Sequence, residues 1–184
     1  MNYLKIITPP IFCVIIIVFT KMSIYYYPLS FGFIIGLFNW KKHKHNPYFG
    51  TILSLIVSNV SFWLAFLCIG IFSEFREFIM NNTDLIIGED MNIYYLMISV
   101  FIIAPILVFF SYKFIFNFPK TKFSLYVMIG CIILLITDFI LYSNYLDYIN
   151  TSGMLPYILW QTIMALAIQL IIHQKVIWKK QKLE

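Results

Sequence analysis

The chain has 184 residues, of which 61% are hydrophobic and only 11% are charged, and its net charge is +5. Soluble domains are nearer half apolar and a quarter charged, so this composition excludes an ordinary soluble domain. Crossing a bilayer takes about 20 apolar residues in a helix, and the sequence holds several such stretches. We therefore predict an all-α fold, a polytopic transmembrane helical bundle of about six spans forming a single membrane domain over residues 1–184. In chain order the predicted spans are residues 4–20, 24–40, 49–72, 92–112, 123–142 and 155–175.

The first predicted span is one of the two shortest. Pro9 and Pro10 suit the first turn of a helix, where the missing N–H would be unpaired in any case. The helix of about ten residues between them and Lys21 would rise about 15 Å, half the hydrocarbon thickness. Either the first span therefore includes residues 4–8, or residues 1–40 form a bent or re-entrant hairpin. No small-x-small cleavage pattern follows, which favours a retained span over a signal peptide.

The third span carries a stripe of small side chains at helical spacing. Its members are Thr51, Ser54, Ser58, Ser61, Ala65 and Cys68. In lipid, helices associate where small side chains allow close backbone approach and hydroxyls bond across the interface. The stripe thus predicts a helix-packing seam, within the subunit or between copies of a homo-oligomer. The alternative is a hydroxyl-lined permeation path, with Asn59 beside it.

The last three spans each hold one notable polar or backbone feature. In the fourth, Pro105 lacks the N–H that would bond the carbonyl of Phe101, which predicts a kink. In the fifth, Asp138 is an intramembrane carboxylate and by default a functional hypothesis, the alternative being a headgroup-level residue. In the sixth, Gln161 and Gln169 share a face with Ala165 and His173, and this face should turn inward and could pair with the third-span hydroxyls.

Charge fixes the predicted orientation. Of the 13 lysines and arginines, all but Lys21 and Arg76 fall on one predicted side, and short-loop cations stay cytoplasmic. Both termini are therefore predicted to be cytoplasmic, in a bacterial inner (plasma) membrane. Trp40, Tyr112 and Trp178 mark the inner ends of their spans, where amphipathic rings prefer the headgroup layer. The basic face predicted to contact membrane lipids or an acidic soluble partner consists of Lys41, Lys42, Lys44, Lys179, Lys180 and Lys182.

No sequence motif indicates a reaction. Hydrolase and metalloprotease signatures are absent, so we predict no catalytic residue, no cofactor and no enzyme. His43, His45 and His173 fall on one predicted side, but the lysines around them disfavour a metal site. Nucleic acid is not an expected partner, because the loops are short. The sequence favours a non-enzymatic sensor or interaction subunit, resembling immunity or phage-defence proteins, that docks a soluble partner. The alternative is a small transporter or channel subunit for an ion or solute, using the polar faces of spans three, five and six.

Overall fold

The computed structural model describes residues 3–20, 24–82, 91–119, 121–145 and 154–181. Throughout these ranges the regular elements are helices, and no strand occurs in them, as an all-α membrane protein requires. The α-helices in these ranges are α1 (Leu4–Thr20), α2 (Tyr27–Phe38), α3 (Pro47–Asn82), α4 (Met91–Leu96), α5 (Ala104–Ile115), α6 (Lys122–Tyr145) and α7 (Met154–Gln181). A π-helical segment, Met97–Ile103, joins α4 and α5 into one continuous rod. Short 3-10 turns, Ile24–Tyr26 and Trp40–Lys42, flank α2.

Four helices are long and apolar enough to cross a membrane, which confirms the prediction of a membrane protein. They are α3, the rod over Tyr94–Ile115, α6 over Lys122–Leu141 and α7 over Tyr157–Gln174. The other two are shorter, since α1 has 17 residues and α2 has 12. At 1.5 Å per residue they measure about 25 and about 18 Å, less than the roughly 30 Å hydrocarbon core. A count of six full crossings therefore stays a prediction, as does the orientation of the termini.

Helix α7 is the most deeply buried of the four long helices. Within the bundle, 56% of the apolar stretch of α7 is buried, against 17% of that of α6. Helix α7 is therefore central and α6 peripheral. Helix α1 packs along α7, and both α2 and α5 pack against α3. The shared core includes Ile35 of α2, Phe109 of α5 and Ile168 of α7, while outward side chains such as Phe110 and Phe114 are exposed, as lipid contact requires.

One end of the bundle gathers the described lysines, and we call it the lysine end. It combines the start of α1, the loop of residues 39–46, the end of α5 and the start of α6. Backbone hydrogen bonds join the loop to the end of α5, from Lys44 N to Ile115 O at 2.9 Å and from Asn117 N to Lys42 O at 3.1 Å. Thr121 at the start of α6 donates to Gln174 near the end of α7, at 2.6 Å.

The proline of the fourth span acts through the π-helical segment rather than through a simple kink. In this segment each N–H bonds the carbonyl five residues back, as Ala104 N–H does to Ser99 O. The carbonyl that Pro105 leaves without a donor is therefore that of Val100, not that of Phe101 as the sequence predicted. The indole N–H of Trp160 on α7 donates to this carbonyl at 2.9 Å. The link satisfies a backbone group that lipid would leave unpaired, and it fastens α7 to the rod.

Candidate functional site

The small-residue stripe of α3 faces two glycines of α2. A Cβ added at Gly32 would lie 2.5 Å from the carbonyl oxygen of Ser54, and one at Gly36 would lie 3.0 Å from Cα of Thr51. Such contacts leave no room for a side chain, so the two backbones touch directly, as in Gly-x-x-x-Gly packing of membrane helices. The structure therefore uses this part of the stripe within one subunit.

The buried hydroxyls of the stripe bond to a tyrosine of α5. Ser54 Oγ donates to the Tyr112 hydroxyl at 3.0 Å, and Ser58 Oγ lies 2.7 Å from the same oxygen. Tyr112 is fully buried within the bundle near the end of α5, and its place at the depth of the headgroup layer stays a prediction. Thr51 Oγ1 donates to the carbonyl of Pro47 in its own helix. These hydroxyls have partners inside the bundle, so this stretch of the stripe offers no open polar path.

The remaining residues of this set differ in burial. Ser61 and Ala65 are buried like the stripe residues before them. Cys68 is half-buried, and Asn59 is half-buried on the flank of the stripe. The close packing of α3 therefore weakens towards its second half, where the helix continues as far as Asn82.

The polar face of α7 is buried but does not meet the α3 hydroxyls. Gln161 Nε2 donates to the carbonyl of Tyr27 at the start of α2, at 2.9 Å. Gln169 is fully buried, and neither atom of its amide has a hydrogen-bond partner within the described part of the chain. The pairing of spans three and six that the sequence left open is therefore not made by hydrogen bonds of these groups, which bond around Tyr112 and at Tyr27. Ser58 and Gln161 nevertheless line one small cavity.

Asp138 lies at the edge of the packing face of α6. That face buries Cys131, Leu135 and Phe139, and Asp138 beside it is half-buried. Gly130, two turns before Asp138 in α6, has open space where a Cβ would be. The carboxylate therefore does not point into a tightly packed centre.

A histidine fixes the basic loop to the bundle. His43 Nε2 donates to the carbonyl of Gly36 at 2.9 Å, and its ring lies 4.6 Å from that of Phe116. A Cβ at Gly50 would lie 2.0 Å from Nδ1, so the absent side chain of Gly50 makes the space that the imidazole fills. Burial lowers the pKa of His43, although the bond to Gly36 opposes this effect. His43 is therefore a neutral structural residue at pH 7.

The structure describes the side chains of only part of the predicted basic face. Lys41 and Lys44 are exposed and Lys42 is half-buried, all on the fixed loop. Lys44 Nζ also donates to the carbonyl of Lys113 at the end of α5. Lys179 and Lys180 belong to the last turns of α7, but their side chains, like the whole of Lys182, lie outside the described residues.

Two hollows accompany these features. At the lysine end, a pocket of about 380 Å³ lies between α1, α2 and α7, and we call it the lysine pocket. It is lined by Leu4, Lys5, Thr8, Phe38, Asn39, Trp40, Lys41, Lys42 and His173. In the opposite half of the bundle, a small cavity with room for about 30 Å³ of water lies among α2, α3, α5 and α7. Aromatic rings including Phe31 and Trp160 line it, with Ser58 and Gln161 as polar groups.

Within the described ranges, no group of three or more histidine, cysteine or acidic residues could hold a metal ion. His43 bonds to Gly36 while His173 lines the lysine pocket, so these two rings do not share a site. Cys13, Cys68 and Cys131 are free thiols.

Sequence reasoning missed the glycines that receive the stripe and the tyrosine that bonds it. The spacing of Gly32 and Gly36 was a usable signal, since Gly-x-x-x-Gly marks close helix packing in membranes. Nothing in the local sequence distinguishes Tyr112 from an interfacial tyrosine. The chain matches no protein-family model, no curated protein and no solved structure at a significant level.

Proposed function

We propose that this chain is a non-enzymatic membrane subunit that recognises an acidic soluble partner at its lysine end. The observation that carries the proposal is the fixed conformation of the loop of residues 39–46. Lysines that only determine topology need charge and no defined structure. Here two backbone hydrogen bonds and the buried His43 hold the loop against α5, with Lys41 and Lys44 exposed.

The docking surface is a continuous group of exposed lysines from three parts of the chain. Lys44 contacts the end of α5 through the carbonyl of Lys113. Lys113 and Lys122 in turn line one groove between α5 and α6, together with apolar side chains such as Phe110 and Leu125. Pre-positioned cations beside apolar surface favour an acidic protein surface, because less side-chain freedom is lost on binding.

The proposal includes the topology that makes this surface available. In a six-span arrangement with cytoplasmic termini, the lysine end faces the cytoplasm of a bacterial cell, as the distribution of cations favours. A role as a sensor in immunity or phage defence, and assembly as a homo-oligomer, belong to the same proposal. Because α2 occupies the glycine-facing part of the α3 stripe, a homo-oligomer would use another face, such as the exposed side of α6.

A charge-reversal experiment tests the docking surface. A photo-crosslinking residue is placed at Lys44 in the full chain in native membranes, and crosslinked soluble proteins are identified by mass spectrometry. Crosslinking should persist when Lys113 and Lys122 are changed to Arg, and fall at least about tenfold when both are changed to Glu. The same crosslinker at lipid-facing Phe114 is the control position. An unchanged set of crosslinked proteins in the Glu variant, with topology intact by cysteine labelling, would refute the proposal.

Transport of a small solute is the second candidate, and the cavity beside Gln161 favours it. Gln161 is almost fully buried, and its Oε1 has no hydrogen-bond partner among the described residues. A permeating ion or small donor could use that oxygen. In reconstituted vesicles tested with Na⁺, K⁺ and H⁺ gradients, a carrier should lose flux on Gln161→Leu and on Asp138→Asn. Flux no greater than in protein-free vesicles would exclude transport of these ions.

A further inference from the structure

The lysine pocket collects cations from two separate segments of the chain. Lys5 belongs to the first turn of α1, while Lys41 and Lys42 belong to the turn that follows α2. Lys5 and Lys42 both lie close enough to His173 on α7 to interact electrostatically with its ring. Bringing like charges together is unfavourable unless an anion or solvent compensates.

The described acidic residues do not compensate these charges. No carboxylate lines the pocket. Among the described residues, Glu74 and Glu77 lie near the far end of α3, and Asp138 lies in the second half of α6. The pocket therefore has a surplus of positive charge and an opening large enough for a polyatomic anion.

Two buried polar atoms at the pocket also lack partners. His173 is 7% exposed, and its Nε2 has no hydrogen-bond partner within the described ranges. Asn39 is 1% exposed; its Nδ2 donates to the carbonyl of Ile35, but its Oδ1 has no partner in the part of the chain that the structure describes. Buried polar groups are nearly always satisfied, and both residues line the pocket, so a ligand bound there would be a candidate for the partner that the described residues do not supply. An imidazole N–H suits a phosphate oxygen, and an amide oxygen suits the P–OH of a singly protonated phosphomonoester.

The walls of the pocket distinguish a lipid from a free anion. Leu4, Phe38 and Trp40 provide apolar surface beside the lysines, and the first two are exposed. The pocket also lies at the ends of helices whose outer faces are apolar, which is the depth of lipid headgroups. A free phosphate would use the cations only, whereas a lipid would also cover the apolar wall.

We propose that the lysine pocket binds the phosphate headgroup of an anionic membrane lipid. Lys5, Lys41 and Lys42 neutralise the phosphate, the His173 ring donates to it, and the acyl chains lie against Leu4 and Phe38. Three lysines match a phosphomonoester, which carries up to two negative charges, better than a phosphodiester with one. The site therefore prefers phosphatidic acid to phosphatidylglycerol, and both to phosphatidylcholine.

Lipid titration of the purified full chain tests this site. The delipidated protein in neutral detergent is titrated with each of the three lipids, and bound lipid is counted by native mass spectrometry. Phosphatidic acid should bind at least about tenfold more tightly than phosphatidylcholine. Lys5→Gln should weaken its binding about fivefold, the effect of one lysine near an anionic lipid. Lys5 is exposed, so this variant is expected to fold, and a thermal unfolding curve verifies this.

Lys113→Gln is the matched control, because Lys113 is exposed at the same end but does not line the pocket. It should leave lipid affinity unchanged. Equal losses in the two variants would show diffuse surface attraction and overturn the proposal, as would equal affinity for phosphatidic acid and phosphatidylcholine. Inorganic phosphate that displaces the lipid at equal concentration would overturn the lipid assignment in favour of a free anion. Lys5 and His173 are not part of the docking surface for a soluble partner, so either proposal can fail without the other.

Discussion

Replacing Gly50 by alanine should destabilise the protein only while His43 is present. The new Cβ would lie 2.0 Å from Nδ1 of the imidazole, and ordinary contact begins near 3.4 Å. The ring must therefore move by about 1.4 Å (3.4 minus 2.0), although its Nε2 is held at 2.9 Å from the carbonyl of Gly36. A shift of this size breaks that hydrogen bond and disturbs the contact with Phe116.

The magnitudes decide the sign of the effect. The lost hydrogen bond costs about 1 kcal/mol and the aromatic contact about 0.5–1.5 kcal/mol. Alanine within a helix gains up to about 1 kcal/mol over glycine. Gly50→Ala alone should thus lower the free energy of unfolding by about 1 kcal/mol. In the His43→Ala background the three atoms nearest to the new methyl group, all of the imidazole, are gone, and the same substitution should raise it by up to about 1 kcal/mol.

The buried thiols provide the assay. Cys13 and Cys131 are almost fully buried and react with a fluorogenic maleimide only on unfolding, once the half-buried Cys68 is changed to Ser. Thermal unfolding in detergent of the four variants of the cycle should give opposite shifts for Gly50→Ala in the two backgrounds. About 2–4 °C is expected per kcal/mol. Gly130→Ala, where the added Cβ meets nothing, is the control. Destabilisation of the same size in both backgrounds would refute the argument.

Three further outcomes follow from the described contacts. Burial lowers the pKa of His43, so the neutral ring stabilises the fold above the unfolded pKa near 6.5, and this stability should be lost as the pH falls below that value. The difference between the unfolding temperatures at pH 7.5 and pH 5.5 should therefore be smaller in His43→Ala than in the unchanged protein. Tyr112→Phe should cost about 1–2 kcal/mol, measured by the same thiol assay, because two buried serine hydroxyls lose their partner. Trp160→Phe should cost a similar amount by leaving the carbonyl of Val100 unpaired. Adding Pro105→Ala supplies a backbone N–H and should recover part of that loss, and failure to recover any would contradict the assigned role of the indole.

The sequence predicts features that depend on local spacing and fails for those that depend on distant pairing. Small residues three and four apart must share one helical face, and Thr51, Ser54 and Ser58 are buried together. The glycines of α2 that receive them carry a recognisable spacing as well. The loop, however, is held by His43 against Phe116, a contact across more than seventy positions that no periodicity reveals.

The fourth span shows the same division. Pro105 correctly marked where the helix would depart from regular geometry, because proline removes a donor wherever it occurs. Which carbonyl is left unpaired depends on the helix register, and the register is π-helical at this point. The donor comes from α7, sixty residues further along the chain. The lysine pocket is still harder to predict from the sequence, because it forms only where α1, α2 and α7 meet at one end of the bundle.

The π-helical segment also means that the α4–α5 rod contains one residue more than a regular α-helix of its kind would need. Deleting one residue within Met97–Ile103 would let the segment close as α-helix while leaving α4 and α5 in nearly the same relative orientation. Tyr95, whose ring lies 5.6 Å from that of Phe72 on α3, would then keep this neighbour. The segment thus holds a spare residue: the rod can lose one position here without turning the surface that α4 presents, whereas a deletion within regular α-helix would turn it by about 100°.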